Sequence, residues 1–176
     1  MNERFDFWLR SGLVSALCWV AQPSQAQSPL DGRLLGLSES TLQSSFPALH
    51  RESKPLQGPH GVRGLWTLAN TQAFGLPVDT TFFLKNKLIH RIEQRWTATA
   101  TPCNPTSAFT KLVSNISLTY GAGVTSTDST GAEKSQRSVV WVSGGVDVLA
   151  YLTQSPSQCT MSIVYKPHLE EDASTL

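Results

Sequence analysis

The residues best able to do chemistry in this chain are four scattered histidines, His50, His60, His90 and His168. Imidazole changes charge near neutral pH, so it serves as acid, base or metal ligand. His90 is the strongest candidate, because Leu88, Ile92, Gln94 and Trp96 share its side of an alternating stretch while Arg91, Glu93 and Arg95 occupy the other. Burial beside Ile92 and Trp96 would perturb its titration, and Glu93 is the nearest carboxylate in sequence. His60 lies in Gln57-Gly58-Pro59-His60-Gly61, a loop composition that suits both a turn and a binding site. His168 precedes Glu170, Glu171 and Asp172, a set with metal-ligand chemistry placed in a tail that cannot preorganise it. No GxSxG, SxxK, HExxH or glycine-rich phosphate loop accompanies these residues. The chain therefore presents no catalytic or metal motif and no cofactor signature, and it points away from an enzyme.

Three cysteines remain to be placed, Cys18, Cys103 and Cys159. Cys18 lies inside the apolar stretch Gly12–Ala21, which follows Arg4 and Arg10 and precedes Ser24-Gln25-Ala26. That order is a signal peptide, with cleavage expected after Ala26 and Gln27 as the new N-terminus. The apolar stretch is about half the ~20 residues a membrane-spanning helix needs, so no stable span is expected. Leu17 before Cys18 argues against a lipidation site. A periplasmic or secreted destination is oxidising, and Cys103 and Cys159 are the cysteines left after cleavage, so they are expected to form a disulfide. Their separation resembles neither CxxC nor a zinc-ligand pattern, and closing so long a loop is worth about 4 kcal/mol.

Lys and Arg number 14 against 13 Asp and Glu, and no basic stripe occurs, which excludes a nucleic-acid footprint. Residues 27–36 are short of apolar groups and are expected to fray, and 168–176 are expected to be a disordered tail. Between them, 37–167 has the length of one domain. Leu42, Phe46 and Leu49 keep helical spacing behind the caps Ser38 or Ser40, with Pro47 as an early stop. Strand patterns follow: Val62, Trp66 and Leu68, then Val78, Thr80, Phe82 and Leu84, then Leu88–Trp96 beyond a hairpin turn at Lys85-Asn86-Lys87. Thr97–Pro102 reads as a joint. Asn104 and Pro105 open a second helix, whose stripe is Phe109, Leu112, Val113, Ile116 and Tyr120. A polar loop over Ser126–Ser135 leads to three more strands, Ser138–Ser143, Val146–Thr153 and Cys159–Lys166.

The expected fold is α+β: two helix-plus-antiparallel-meander halves, about 37–97 and 103–167, forming one compact domain with both helices on one face of the sheet. Leu65-Trp66 corresponds to Val140-Trp141, and Val78-Asp79 to Val146-Asp147. This plan resembles the tandem architecture of beta-lactamase-inhibitor-protein-like domains and of the single-unit outer-membrane lipoproteins of the SmpA/OmlA family. The resemblance covers about Leu37 to Pro167 and rests on element order and aromatic placement. It implies protein binding on the sheet face, and it transfers no binding residue. Leu65 and Phe83 oppose the inward set Val62, Trp66, Phe82, Leu84, Leu88 and Ile92, so they are expected to form an exposed apolar patch there. The leading expectation is thus a non-enzymatic binding module with an envelope protein as partner, with Leu65, Phe83, His60 and His90 as its site residues. An envelope enzyme with a site near His90 or His60, and a structural envelope component, are the alternatives.

Overall fold

The sheet grows from short hairpins whose turns are written in the sequence. The computed structural model describes residues 30–98, 105–130 and 135–168. Phe74-Gly75, Asn86-Lys87 and Gly144-Gly145 each place two successive residues at positive φ, between the paired ends Ala73 and Leu76, Lys85 and Leu88, and Ser143 and Val146. Two-residue turns of this kind match the right-handed twist of their strands, which is why they close tight hairpins.

In chain order the elements are α1 (Glu39–Ser45), β1 (His50–Gln57), β2 (Arg63–Ala73), β3 (Leu76–Lys85), β4 (Leu88–Ala98), α2 (Thr106–Tyr120), β5 (Val124–Thr130), β6 (Ser135–Ser143), β7 (Val146–Ser155) and β8 (Gln158–Pro167). All eight strands form one antiparallel sheet in the order β1-β2-β3-β4-β8-β7-β6-β5. Each half is thus a helix followed by a four-stranded meander, and the halves join where β4 pairs antiparallel with β8. Leu42 of α1 and Phe109, Leu112 and Ile116 of α2 share one core with Phe82, Ile92, Trp141, Ile163 and Tyr165. Both helices therefore cover the same face, as the α+β plan requires.

The two halves repeat one packing detail. Trp66 on β2 donates its indole N–H to Glu39 Oε1 of α1 at 2.8 Å, and Trp141 on β6 donates to Ser117 Oγ of α2 at 3.3 Å. In each half the second strand holds its own helix through a tryptophan, which satisfies a buried polar tip at the end of a large apolar body. Ser38 caps α1 by accepting from the Thr41 N–H at 3.1 Å, and the helix ends just before Pro47. Phe109, Leu112 and Ile116 of the α2 stripe and the β8 face Cys159, Met161, Ile163 and Tyr165 are buried as their periodicity predicts, with Val113 and Tyr120 partly buried beside them.

Several expectations are corrected. Charged His50–Gln57 is an edge strand, and Val124–Thr130 is a strand where a polar loop was expected to begin at Ser126. An edge strand has neighbours on one side only and tolerates polar residues and Pro55, so neither shows the apolar alternation of an inner strand. Pro105 caps α2 instead of opening it, and the helix begins at Thr106. The start is partly anchored: Asp31 caps a 3-10 turn at Gly32–Leu34, and Leu34 enters the core. His168 is anchored too, its N–H donating to Gly145 O at 2.8 Å. The cleavage site at Ala26, the cap Asn104, Cys103 and residues 169–176 lie outside the described residues. No helix among the described residues is long and apolar enough to cross a membrane.

Candidate functional site

Two bulges decide which side chains reach the second face of the sheet. Gly64 pairs with Phe83 and Trp66 with Phe82, so Leu65 is an extra residue in β2. An extra residue reverses the alternation, and Leu65 consequently packs with Trp66 against the helix-side core. Phe83 does face the helix-free side, yet it is only 4% exposed. Glycines at 58 and 64 leave room for its ring, since a Cβ at either position would approach it to 3.0 Å. The Arg91 guanidinium lies 5.7 Å from its centroid. Val62, expected in the helix-side core, is buried on Phe83's side, against Gly58. The exposed Leu65–Phe83 patch is therefore corrected: one residue belongs to the helix-side core, and the other is the floor of a smaller buried cluster.

The second bulge lies in β4. Leu84 pairs with Ile89 and Phe83 with Arg91, so His90 is extra. Ile89 takes the core position and is 1% exposed, whereas Leu88 is 45% exposed. Residues beyond the bulge keep their expected sides, with Ile92 and Gln94 buried. Gln94 donates to Leu30 O at 2.7 Å, and its Oε1 lies 3.4 Å from the Tyr165 hydroxyl, a polar link buried at the junction of the halves. Burial pushes the Tyr165 phenol far above its ordinary range, which keeps it neutral.

His60 and His90, separate candidates by sequence, line one cleft of about 460 Å³. The 3-10 turn Pro59–Gly61 supplies His60, whose φ of +54° holds it in the left-handed region. Turn closure is secured by the Gly58 N–H to Val62 O at 2.9 Å. Lys85, Arg91 and Lys166 from β3, β4 and β8 complete the polar lining, with Pro59, Val62 and Pro167 as its apolar part. Among the described residues, no carboxylate, hydroxyl or thiol lines the cleft. Glu93 turns away to the neighbouring arginines, pairing with Arg91 at 3.2 Å and with Arg95. Neither cleft imidazole has a hydrogen-bond partner among the described residues to fix its tautomer. The arrangement suits binding of negative charge better than nucleophilic chemistry, which needs a nucleophile beside an oriented base.

At the cleft's β8 end, Asp147 accepts from Lys166 Nζ at 2.9 Å and lies 2.6 Å from His168 Nδ1. Burial pushes the Asp147 carboxyl up, but hydrogen bonds from Lys166 and His168 outweigh it and hold the group below the ordinary carboxylate range. His168 is thereby part of an ion-pair cluster on the sheet. Among the described residues no three His, Cys, Asp or Glu side chains gather into a metal site.

A second feature of this face was missed by sequence reasoning. Register aligns His50, Thr67, Thr81, Glu93, Val164, Leu149, Val140 and Val124 in one row across all eight strands. The first-half members are polar or charged and the second-half members are all apolar. Tyr151 stands in the next row, opposite Ser162 and Ser138. Val124 is 73% and Val142 56% exposed. The signal was present in Val139–Val142 and Val148–Leu152, runs apolar on both faces of their strands, as strands covered on both sides read. Comparison with protein-family models, curated proteins and solved structures finds no match for this chain.

Proposed function

We propose that this chain is an exported, non-enzymatic binding module that captures an envelope protein on the helix-free face of its sheet. The observation that carries the proposal is the apolar row Val124, Val140 and Leu149, flanked by Tyr151 and Val142, on the side that no helix covers among the described residues. Apolar and aromatic surface of this kind, bordered by charged groups such as Arg91, Glu93 and Arg95, has the composition of a protein interface with a polar rim. The resemblance to beta-lactamase-inhibitor-protein-like domains agrees, since it implies protein binding on the sheet face. Export by the signal ending at Ala26, and a Cys103–Cys159 bridge formed in an oxidising compartment, belong to the same reading. Cys159 is fully buried on β8, where such a bridge would tie the last strand to the segment before α2.

The test places a photo-crosslinking residue at Val140 and, separately, at Leu118, an exposed position on α2. In exporting cells the Val140 probe is expected to give a discrete protein adduct that the Leu118 probe does not. Equal labelling from both positions, or none from Val140, refutes the reading.

A further inference from the structure

We propose that the cleft between the Pro59–Gly61 turn and the ends of β3, β4 and β8 binds a phosphomonoester, with the phosphoryl group held by Lys85, Arg91 and Lys166. Cations arrive there from three different strands, and the two imidazoles add donors. Arg91 and Lys166 each already hold one carboxylate, Glu93 and Asp147. Lys85 has no carboxylate within ion-pair distance among the described residues, so one full positive charge is left uncompensated. Arg91 Nε is a buried donor without a hydrogen-bond partner. A tetrahedral group with several acceptor oxygens suits donors converging from several sides better than a planar carboxylate does. The volume of about 460 Å³ exceeds what a phosphoryl group alone fills. Pro59, Val62 and Pro167 offer the remaining wall to an organic substituent. The left-handed backbone at His60 is mildly costly for a residue with a Cβ, and such a conformation often marks a ligand site.

The histidine ring signals of the full chain report on the cleft when it is titrated with inorganic phosphate at constant pH, with ionic strength held by chloride. His60 and His90 are expected to shift saturably and His50 to stay still. Lys85→Gln should weaken binding about tenfold, the worth of one charge-assisted hydrogen bond. Lys87→Gln, on the same hairpin and outside the cleft, should leave affinity unchanged. No saturable shift below about 50 mM phosphate, a concentration weaker than ordinary small-ligand sites, would overturn the proposal. Equal weakening by both substitutions would also overturn it, since that is general charge screening. Two further probes that both carry a phosphomonoester, glycerol 1-phosphate and vesicles containing phosphatidic acid, separate the sources. Binding of the soluble ester identifies a free metabolite-like ligand, and sedimentation with vesicles alone identifies a lipid headgroup.

Discussion

Phe83→Ala should destabilise the protein by about 3–4 kcal/mol, although the residue lies on the face that carries no helix among the described residues. A buried aromatic side chain removes about 200 Å² from water, and at about 25 cal/mol per Å² that area is worth about 5 kcal/mol. Compactness of the unfolded chain reduces such a figure by about 10–40%. The cation–π contact with Arg91 adds about 0.5–1 kcal/mol, while the methyl group retained by alanine takes a similar amount away. A loss of this size lowers Tm by about 10 °C in a domain of this length. Urea unfolding followed by tryptophan fluorescence measures it, and Phe83→Leu should keep more than half of the stability. A Phe83→Ala loss below about 1 kcal/mol, the scale of an exposed position, would show that the ring is solvated. The account of the Gly58–Gly64 niche would then be wrong.

Three other outcomes follow from particular contacts. Gly123→Ala would place a Cβ 2.6 Å from both the Trp141 indole and Val139; overpacking of that kind should cost about 1–3 kcal/mol in the same unfolding experiment. Asp147→Asn should cost about 1–2 kcal/mol at neutral pH, a figure kept low because Lys166 is partly solvated. Because the native carboxyl is held below its ordinary range, its contribution is complete above the unfolded-state value and is lost as pH falls through the native one. Wild type and variant should therefore converge in acid, and a gap that persists there would contradict the ion-pair account. Cys103→Ser should lower unfolding stability by about 4 kcal/mol if the bridge to Cys159 forms, with non-reducing peptide mapping as the direct check; two free thiols in protein taken from an oxidising compartment would refute it.

The inner strands and both helices were legible because their burial is periodic: α2 repeats an apolar stripe and β8 alternates without interruption. Edge strands were not, since half of an edge strand's surroundings is solvent and its sequence can be as polar as His50–Gln57. Side assignments failed at the bulges. Alternation read from the sequence assumes that every residue advances the pleat by one step, and Leu65 and His90 each add a step that is visible only in the pairing. Both are among the residues singled out for function, and one misassigned Leu65 while the other brought His90 to the cleft with His60. The cleft's cations were illegible for a different reason. Lys85, Arg91 and Lys166 meet only because β4 pairs with β8, a contact between halves that no local pattern encodes.

That pairing also explains why one face carries no helix among the described residues. Two similar meanders joined antiparallel through their last strands are related by a rotation about an axis perpendicular to the sheet, and such a rotation maps each face onto itself. If one half covers a given face with its helix, the other half must cover the same face, and the opposite face becomes continuous across eight strands. Symmetry alone would give the two halves of that face the same character, but the chain departs from it. β3 and β4 contribute Asp79, Arg91, Glu93 and Arg95, whereas β6 and β7 contribute Val140, Val142, Leu149 and Tyr151. Core packing does not require this difference, because these side chains point away from the helices. The helix-side core keeps the common plan, down to the paired tryptophan contacts with α1 and α2. Divergence of this kind on the face away from the helices is what recognition of an asymmetric partner would require of it, with an apolar patch for burial beside a charged one for orientation.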